Sequence, residues 1–300
     1  MANVAAVDIG TNSVRLLIAD DGGRELARPM RITRLGQGVD VSGRLAPEAI
    51  ARTTAVLEEF RALAQLHGVT RLRATATSAA RDAVNSAEFF DAAERALGAR
   101  PELLSGDEEA RLAFRGATAG LAPSQGPFLI IDLGGGSTEL VLGATQPEAL
   151  ISLQLGCVRM TERHLKSDPP TSDQLGACFL DVERELGKAS GIDASRARRV
   201  IGLAGTVTAL SALQLGLRRY DAARTHHSRL TLEQVEASFQ ALSRADLAAR
   251  RGMLAEPARA EVIVGGAAVL LALMRHFAID ELLVSEHDIL DGLCESLRSA

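Results

Sequence analysis

The chain reads as an α/β protein built from two copies of one unit, and three observations predict it. Ile130 to Leu142 is two short apolar runs joined by Gly134-Gly135-Gly136-Ser137-Thr138, the pattern of a buried strand, a glycine turn and a return strand. Val4 to Ile18 repeats the pattern, with Asp8 two residues before Gly10 and five before Ser13, as Asp132 stands to Gly134 and Ser137. Beyond each hairpin, further apolar runs alternate with amphipathic helical stretches. The equal spacing predicts a duplicated strand-strand-strand-helix unit whose copies face each other across a cleft.

The composition narrows the class. Three hundred residues, 47% apolar and 24% charged, suffice for two medium cores in a globular protein. A net charge of -5 argues against a nucleic-acid partner. Cys157, Cys178 and Cys294 form no C-x-x-C pair and read as reduced cytosolic thiols, and no signal peptide is evident, so a cytoplasmic location is expected. The longest apolar run, Val262 to Met274, falls short of the roughly 18 residues of a membrane helix and contains Gly265-Gly266, so it reads as a buried helix.

In chain order, Asp21 to Arg24 is a turn and Glu25 to Leu35 a third strand. After a glycine loop, Pro47 opens a helix to about Leu66, with Ile50, Thr54, Leu57 and Leu63 near one face. Val69 to Thr75 is a strand, Thr77-Ser78 starts a helical turn carrying Arg81, and Ser86 caps a helix to Leu97. Leu103-Leu104 ends a brief strand before a helix that begins at Ser105. Pro123 to Gly126 is the connection before the second hairpin, giving expected domains 1–122 and 123–300. Gly143 to Leu155 supplies the second unit's third strand, with helices at Met160 to Lys166 and Ser172 to Leu186. Arg199 to Leu203 is a strand entering a further glycine turn, Gly202-Leu-Ala-Gly205-Thr206, at a helix start. His226-His227 reads as a surface loop before a helix capped by Thr231. Pro257 to Phe277 is a long helix, Glu281 to Val284 a strand, and Ser285 to Gly292 turns into a final helix.

The hairpins suggest the chemistry. Consecutive glycines present bare N–H groups that suit phosphate, and Ser137 and Thr138 add hydroxyls. Asp132 and Glu139 would repel an anion unless they hold a cation or order a water. An ordinary glycine hairpin with polar neighbours is the bland alternative. At Ser105-Gly-Asp-Glu-Glu, a capping box explains Asp107 and Glu108 but does not require Glu109, which could instead orient and deprotonate a water. Arg81 alone reads as a solvated helix charge.

Five segments together resemble the exopolyphosphatase/guanosine pentaphosphate phosphatase family: Val7-Asp-Ile-Gly-Thr-Asn-Ser13, Ala76-Thr-Ser-Ala-Ala-Arg-Asp-Ala-Val-Asn85, Ser105-Gly-Asp-Glu-Glu-Ala-Arg111, Ile131-Asp-Leu-Gly-Gly-Gly-Ser-Thr-Glu139 and Gly202-Leu-Ala-Gly-Thr206. The resemblance implies two actin-like ATPase (ribonuclease H-like) lobes. By position it makes Glu109 the general base and Arg81 a phosphate contact with Asn85 beside it. Asp8, Asp132 and Glu139 become ligands of a divalent cation, Mg2+ or another. Gly10, Thr11, Asn12, Ser13, Gly134, Gly135, Gly136, Ser137, Thr138, Gly205 and Thr206 become phosphate-binding positions. One departure is Glu261, where many relatives carry aspartate. Longer family members add a C-terminal helical region that this chain lacks, so a preference for short chains is expected.

The expected function is therefore hydrolysis of the terminal phosphoanhydride of inorganic polyphosphate, releasing orthophosphate, by a homodimer with no membrane partner. Rival expectations are 5'-dephosphorylation of guanosine pentaphosphate, acceptor-dependent phosphoryl transfer from ATP, and a non-catalytic nucleotide or alarmone sensor.

Overall fold

The computed structural model describes residues 3–298, and the chain divides into two compact α/β units, Met1–Ala119 with His287–Ala300, and Gly120–Glu286. In the first unit β1 (Asn3–Ile9), β2 (Ser13–Ala19), β3 (Glu25–Ala27) and β4 (Met30–Ile32) precede α1 (Val39–Ser42), α2 (Pro47–Leu66), β5 (Val69–Ala76), α3 (Ser78–Asp82), α4 (Ser86–Leu97), β6 (Glu102–Leu103) and α5 (Gly106–Thr118). The second unit holds β7 (Phe128–Leu133), β8 (Thr138–Gly143), β9 (Pro147–Leu153), α6 (Cys157–His164), α7 (Ser172–Leu186), β10 (Arg199–Leu203), α8 (Ala204–Gln214), α9 (Ala222–Thr225), β11 (Arg229–Thr231), α10 (Leu232–Arg244), α11 (Leu247–Met253), α12 (Ile263–His276) and β12 (Glu281–Val284). The last helix, α13 (Ile289–Arg298), returns to the first unit.

Both sheets share one plan. The first runs β3-β2-β1-β5-β6, with β4 also on β2; β1 and β2 are antiparallel, and β5 and β6 add in parallel. The second runs β11-β12-β10-β7-β8-β9, an antiparallel β7-β8-β9 meander with β10 and β12 parallel to it and β11 antiparallel at the edge. An antiparallel meander continued by parallel strands is the actin-like, ribonuclease H-like arrangement expected of each lobe.

The central strands are mostly apolar because both faces are covered, with Asp8, Arg15, Asp132 and Glu139 as charged exceptions. On one face of β1, Ala5, Val7 and Ile9 join a core with Leu57 and Phe60 of α2 and Phe89 of α4. On its other face Val4 and Ala6 meet Ile289, Leu290 and Leu293 of α13. The second unit's core is larger and wraps α12, whose residues from Ile263 to Met274 are all buried. Gly265 and Gly266 let α12 approach Cys157 and Thr161 of α6 and Thr206 of α8, leaving no room for a Cβ.

Several boundaries differ from expectation. Glu25 to Leu35 is two short strands, since Pro29 has no N–H to donate while its carbonyl accepts from Leu16 at 3.0 Å. The buried seam of α2 is Ala49, Thr53, Leu57, Phe60 and Ala64, with Thr54 one position off it. The α4 N-cap is Asn85 rather than Ser86, without a side-chain cap bond. The expected boundary after residue 122 lies close to the first division. The assignment of 287–300 to the second domain differs from the structure, because the apolar stripe of α13 covers β1 and β2.

Candidate active site

The two hairpins share one turn. Gly10 N–H donates to the Ser13 carbonyl and Gly134 N–H to the Ser137 carbonyl, both at 3.0 Å. A Cβ on Gly10 would stand 3.2 Å from the Ser13 oxygen and one on Gly134 3.1 Å from the Ser137 oxygen, so glycine is favoured at both. In the second unit the loop carbonyls turn into the start of α6. Cys157 N–H donates to Gly134 at 3.0 Å, Val158 N–H to Gly135 at 2.9 Å, and the Arg159 Nε to Gly136 at 2.7 Å. Because a trans peptide sets N–H and C=O on opposite sides, the N–H groups of Gly135, Gly136 and Ser137 face away from α6. Gly156 lies so close to the Gly135 backbone that no Cβ fits, which is why α6 begins at Cys157 rather than Met160.

The first unit does the same with different residues. The Thr11 carbonyl accepts from Gly36 N–H at 2.8 Å, and the Asn12 carbonyl from Thr33 and Arg34 at 3.1 and 2.9 Å. The peptide N–H groups of Asn12 and Ser13 are thereby turned the other way.

The carboxylates sit beside these turns. Asp132 and Glu139 are direct cross-strand partners on β7 and β8, and the Ser152 hydroxyl on β9 donates to Glu139 Oε1 at 2.6 Å. Both acids are buried, Asp132 at 7% and Glu139 at 1% exposure. The equivalent partner of Asp8 on β2 is a cation, Arg15. Its Nη2 and Nε donate to Asp8 Oδ2 at 2.7 and 3.1 Å, and its Nη1 pairs with Asp288. Burial pushes the Asp8 pKa above the ordinary carboxylate range, with Arg15 opposing and Asp288 adding to the rise. The Asp8 Oδ1 is buried and makes no hydrogen bond.

At the start of α5 the acids separate by role. Ser105 and Glu108 form a complete capping box, with Ser105 N–H to Glu108 Oε2 at 2.9 Å and Glu108 N–H to Ser105 Oγ at 3.2 Å. The bonds to Ser105 lower the Glu108 pKa. Glu109 lies about 100° further round the helix. There its Oε2 accepts from Arg81 Nη1 at 3.3 Å, and the same nitrogen donates to the Leu104 carbonyl at 2.8 Å. Arg81 Nη2 is buried without a hydrogen-bond partner. The two expected catalytic side chains thus meet within the first unit. Asn85 does not join them, because its amide accepts from Leu45 N–H at 2.8 Å and donates to the Leu45 carbonyl at 3.0 Å.

Two expected phosphate positions take a different part. Thr138 is fully buried and its hydroxyl donates to the Leu155 carbonyl at 2.7 Å, so it braces the loop from behind. Thr206 is buried and packs, like Cys157, against Gly266. Gly205, following Ala204 at φ 67°, lies against the Arg259 guanidinium with no room for a Cβ. Three cations escaped notice in the sequence: Arg15, Arg159 and Arg259. Only Arg15 carried a signal, standing as far after Asp8 as Glu139 stands after Asp132.

No three His, Cys, Asp or Glu side chains among the described residues gather into a group able to hold a metal by themselves. His226 and His227 stack with ring centroids 3.8 Å apart, and Glu286 N–H donates to His226 Nδ1 at 3.1 Å. The three cysteines are free and buried, and no described helix is long and apolar enough to cross a membrane.

Comparison with known proteins gives a consistent likeness. Residues 17–298 match the model of the Ppx/GppA phosphatase family. The chain is 46% identical to Exopolyphosphatase 2 of Mycobacterium tuberculosis, with 99% of each chain covered. It is 30% identical to the guanosine-5'-triphosphate,3'-diphosphate pyrophosphatase of Aeromonas hydrophila, covering 98% of this chain and 59% of that one. A crystal structure of an exopolyphosphatase-like protein matches with a TM-score of 0.95 at 40% identity, covering 99% of both chains. The Aquifex aeolicus member of the Ppx/GppA family matches with a TM-score of 0.81 at 34% identity, covering 99% of this chain and 98% of that one.

Proposed function

The chain belongs to the Ppx/GppA phosphatase family, and from that premise we propose that it is an exopolyphosphatase, releasing orthophosphate from the end of inorganic polyphosphate. The observation that carries this reading is the Arg81–Glu109 pair in a unit that also holds the Gly10 to Ser13 turn.

In this reading the N–H groups of the Gly10 to Ser13 and Gly134 to Ser137 turns bind phosphate oxygens. Glu109 takes a proton from a water whose oxygen attacks the terminal phosphorus. The phosphoanhydride P–O bond breaks, the shortened chain leaves with that oxygen, and the water oxygen ends in orthophosphate. Arg81 orients Glu109 through Nη1, and its Nη2 is the donor left for a phosphate oxygen.

The carboxylates fit a divalent cation. Mg2+ takes one or two carboxylates and completes its shell with water and phosphate oxygens, so the lack of a three-residue cluster is no obstacle. Asp132 and Glu139, side by side on β7 and β8, are the oxygens we assign to it, while Asp8 of the first unit is bonded by Arg15. When bound, it would neutralise phosphate charge and hold the leaving oxygen.

The test is orthophosphate release with Mg2+ from short polyphosphate, long polyphosphate and guanosine pentaphosphate. Release from polyphosphate, fastest from short chains, is the expected result. Release from guanosine pentaphosphate alone would move the assignment to the alarmone, the activity named in the Aeromonas relative. Release from none would refute hydrolysis and favour the sensor or an acceptor-dependent kinase. A homodimer in the cytoplasm remains part of the proposal, the former checked by light scattering at twice the chain mass.

A further inference from the structure

The second unit gathers positive charge at one end of its sheet. Between Arg218 and Arg229 the chain carries four arginines and two histidines against a single acid, Asp221, in a protein of net charge -5. Asp221 caps α9, accepting from Ala223 N–H at 3.1 Å, and Arg229 pairs with Glu281 at 2.8 Å. Arg218, Arg219 and Arg224 are exposed, and no side chain among the described residues pairs with them. Strand direction fixes where this loop lies. β7, β10 and β12 are parallel, and Val284, Gly202 and Ile131 form one row across them close to their carboxyl ends. Beyond that row stand Glu286 after β12, the Gly205 turn after β10 and the Gly134 to Ser137 turn after β7. Two strand spacings, about 10 Å, separate the end of β12 from the Gly134 to Ser137 turn.

The basic loop is tied to that edge. The Tyr220 and Thr225 hydroxyls both donate to the Glu286 carboxylate, Glu286 N–H donates to His226 Nδ1 at 3.1 Å, and His227 N–H donates to the Val284 carbonyl at 2.7 Å. The Ser228 hydroxyl lies 2.7 Å from that of Ser211 on α8. The arginines therefore stand on a fixed backbone. Ligands of α/β sheets bind outside the carboxyl ends of the strands, and a guanidinium offers phosphate paired donors. We propose that the 218–229 loop is a binding subsite for the inner phosphates of polyphosphate, taking the part of the chain that extends about 10 Å from a phosphate held at the Gly134 to Ser137 turn. This rests on the reading of the protein as a polyphosphate hydrolase. Three arginines without acid partners suit a linear polyanion, whose charge repeats along its length, better than a compact anion. A chain too short to leave the turn gains nothing from the loop, so affinity should rise with length until the chain spans the edge and then level off.

The test is calorimetric titration of tripolyphosphate and of short polyphosphate into the whole protein, in the Glu109→Gln background and without divalent cation so that neither is consumed. Arg218→Gln/Arg219→Gln/Arg224→Gln should weaken short polyphosphate about tenfold or more, leave tripolyphosphate within about twofold, and flatten the dependence of affinity on salt. Its melting temperature should match the parent's, since the three side chains brace nothing. Arg196→Gln/Arg198→Gln/Arg199→Gln removes the same charge at the amino end of β10 and should leave both affinities nearly unchanged. Unchanged affinity for short polyphosphate in the first variant, an equal loss for tripolyphosphate, or an equal loss in the second variant would each overturn the proposal. Since binding is read without turnover, the order of affinities holds or fails independently of whether polyphosphate is hydrolysed.

Discussion

Arg81 does two jobs with one nitrogen, holding the Leu104 carbonyl at 2.8 Å and Glu109 at 3.3 Å, while Nη2 is buried without a hydrogen-bond partner. A lysine ammonium cannot reproduce that planar fork, so Arg81→Lys should lower kcat by about 10- to 100-fold with little change in melting temperature, as steady-state kinetics and a thermal melt would show. A second residue carries a pH signature. Burial works against ionised Asp181, but Arg163 at 2.7 Å, His164 at 2.9 Å and Arg184 hold its pKa down from 3.8 to about 2. A depressed carboxylate stabilises the fold above its unfolded pKa and loses that contribution as pH falls through the folded value. About 2 kcal/mol should therefore disappear between pH 4 and pH 2. Urea unfolding across that range should show the loss in the parent and much less of it in Asp181→Asn. At this scale the sequence was readable where a spacing repeated: Asp8 and Asp132 share one place in the two hairpins, while Glu139 was read only as the carboxylate after the second turn. Arg15 was not singled out, because a lone arginine in an apolar run also suits a strand edge, and Arg259 was hidden because it reaches Gly205 from far along the chain.

Among the elements, α5 and α13 meet backbone to backbone, Gly116 against Asp288 and Gly292 against Leu112. Gly116→Ala would help a free helix by up to about 1 kcal/mol, yet here the new Cβ would run into the Asp288 carbonyl. Backbone has no rotamer with which to yield, so the net expectation is a loss of about 2 kcal/mol or more, read from a denaturant midpoint. Helix and strand types were legible from periodicity, and the start of α5 was legible to the residue because its capping box is a local signal. Boundaries set by tertiary contact were not. The start of α6 depends on Gly156 meeting Gly135, and the break between β3 and β4 on Pro29 within a run that otherwise reads as strand.

Across the whole molecule, duplication was visible and ownership of the last helix was not. Ile289, Leu290 and Leu293 form an apolar stripe that would suit either unit, and only the exposed face of β1 and β2 decides that α13 covers the first. That return of the chain places Asp288 beside Arg15, which also bonds to Asp8. The central claim is that this assembly activates water through Glu109. It is tested most directly by measuring polyphosphate affinity and orthophosphate release in Glu109→Gln. Release reduced by about a thousandfold or more, with affinity within a few-fold of the parent, is what loss of a general base predicts. Release at the parental rate would contradict the account and remove Glu109 from the chemistry.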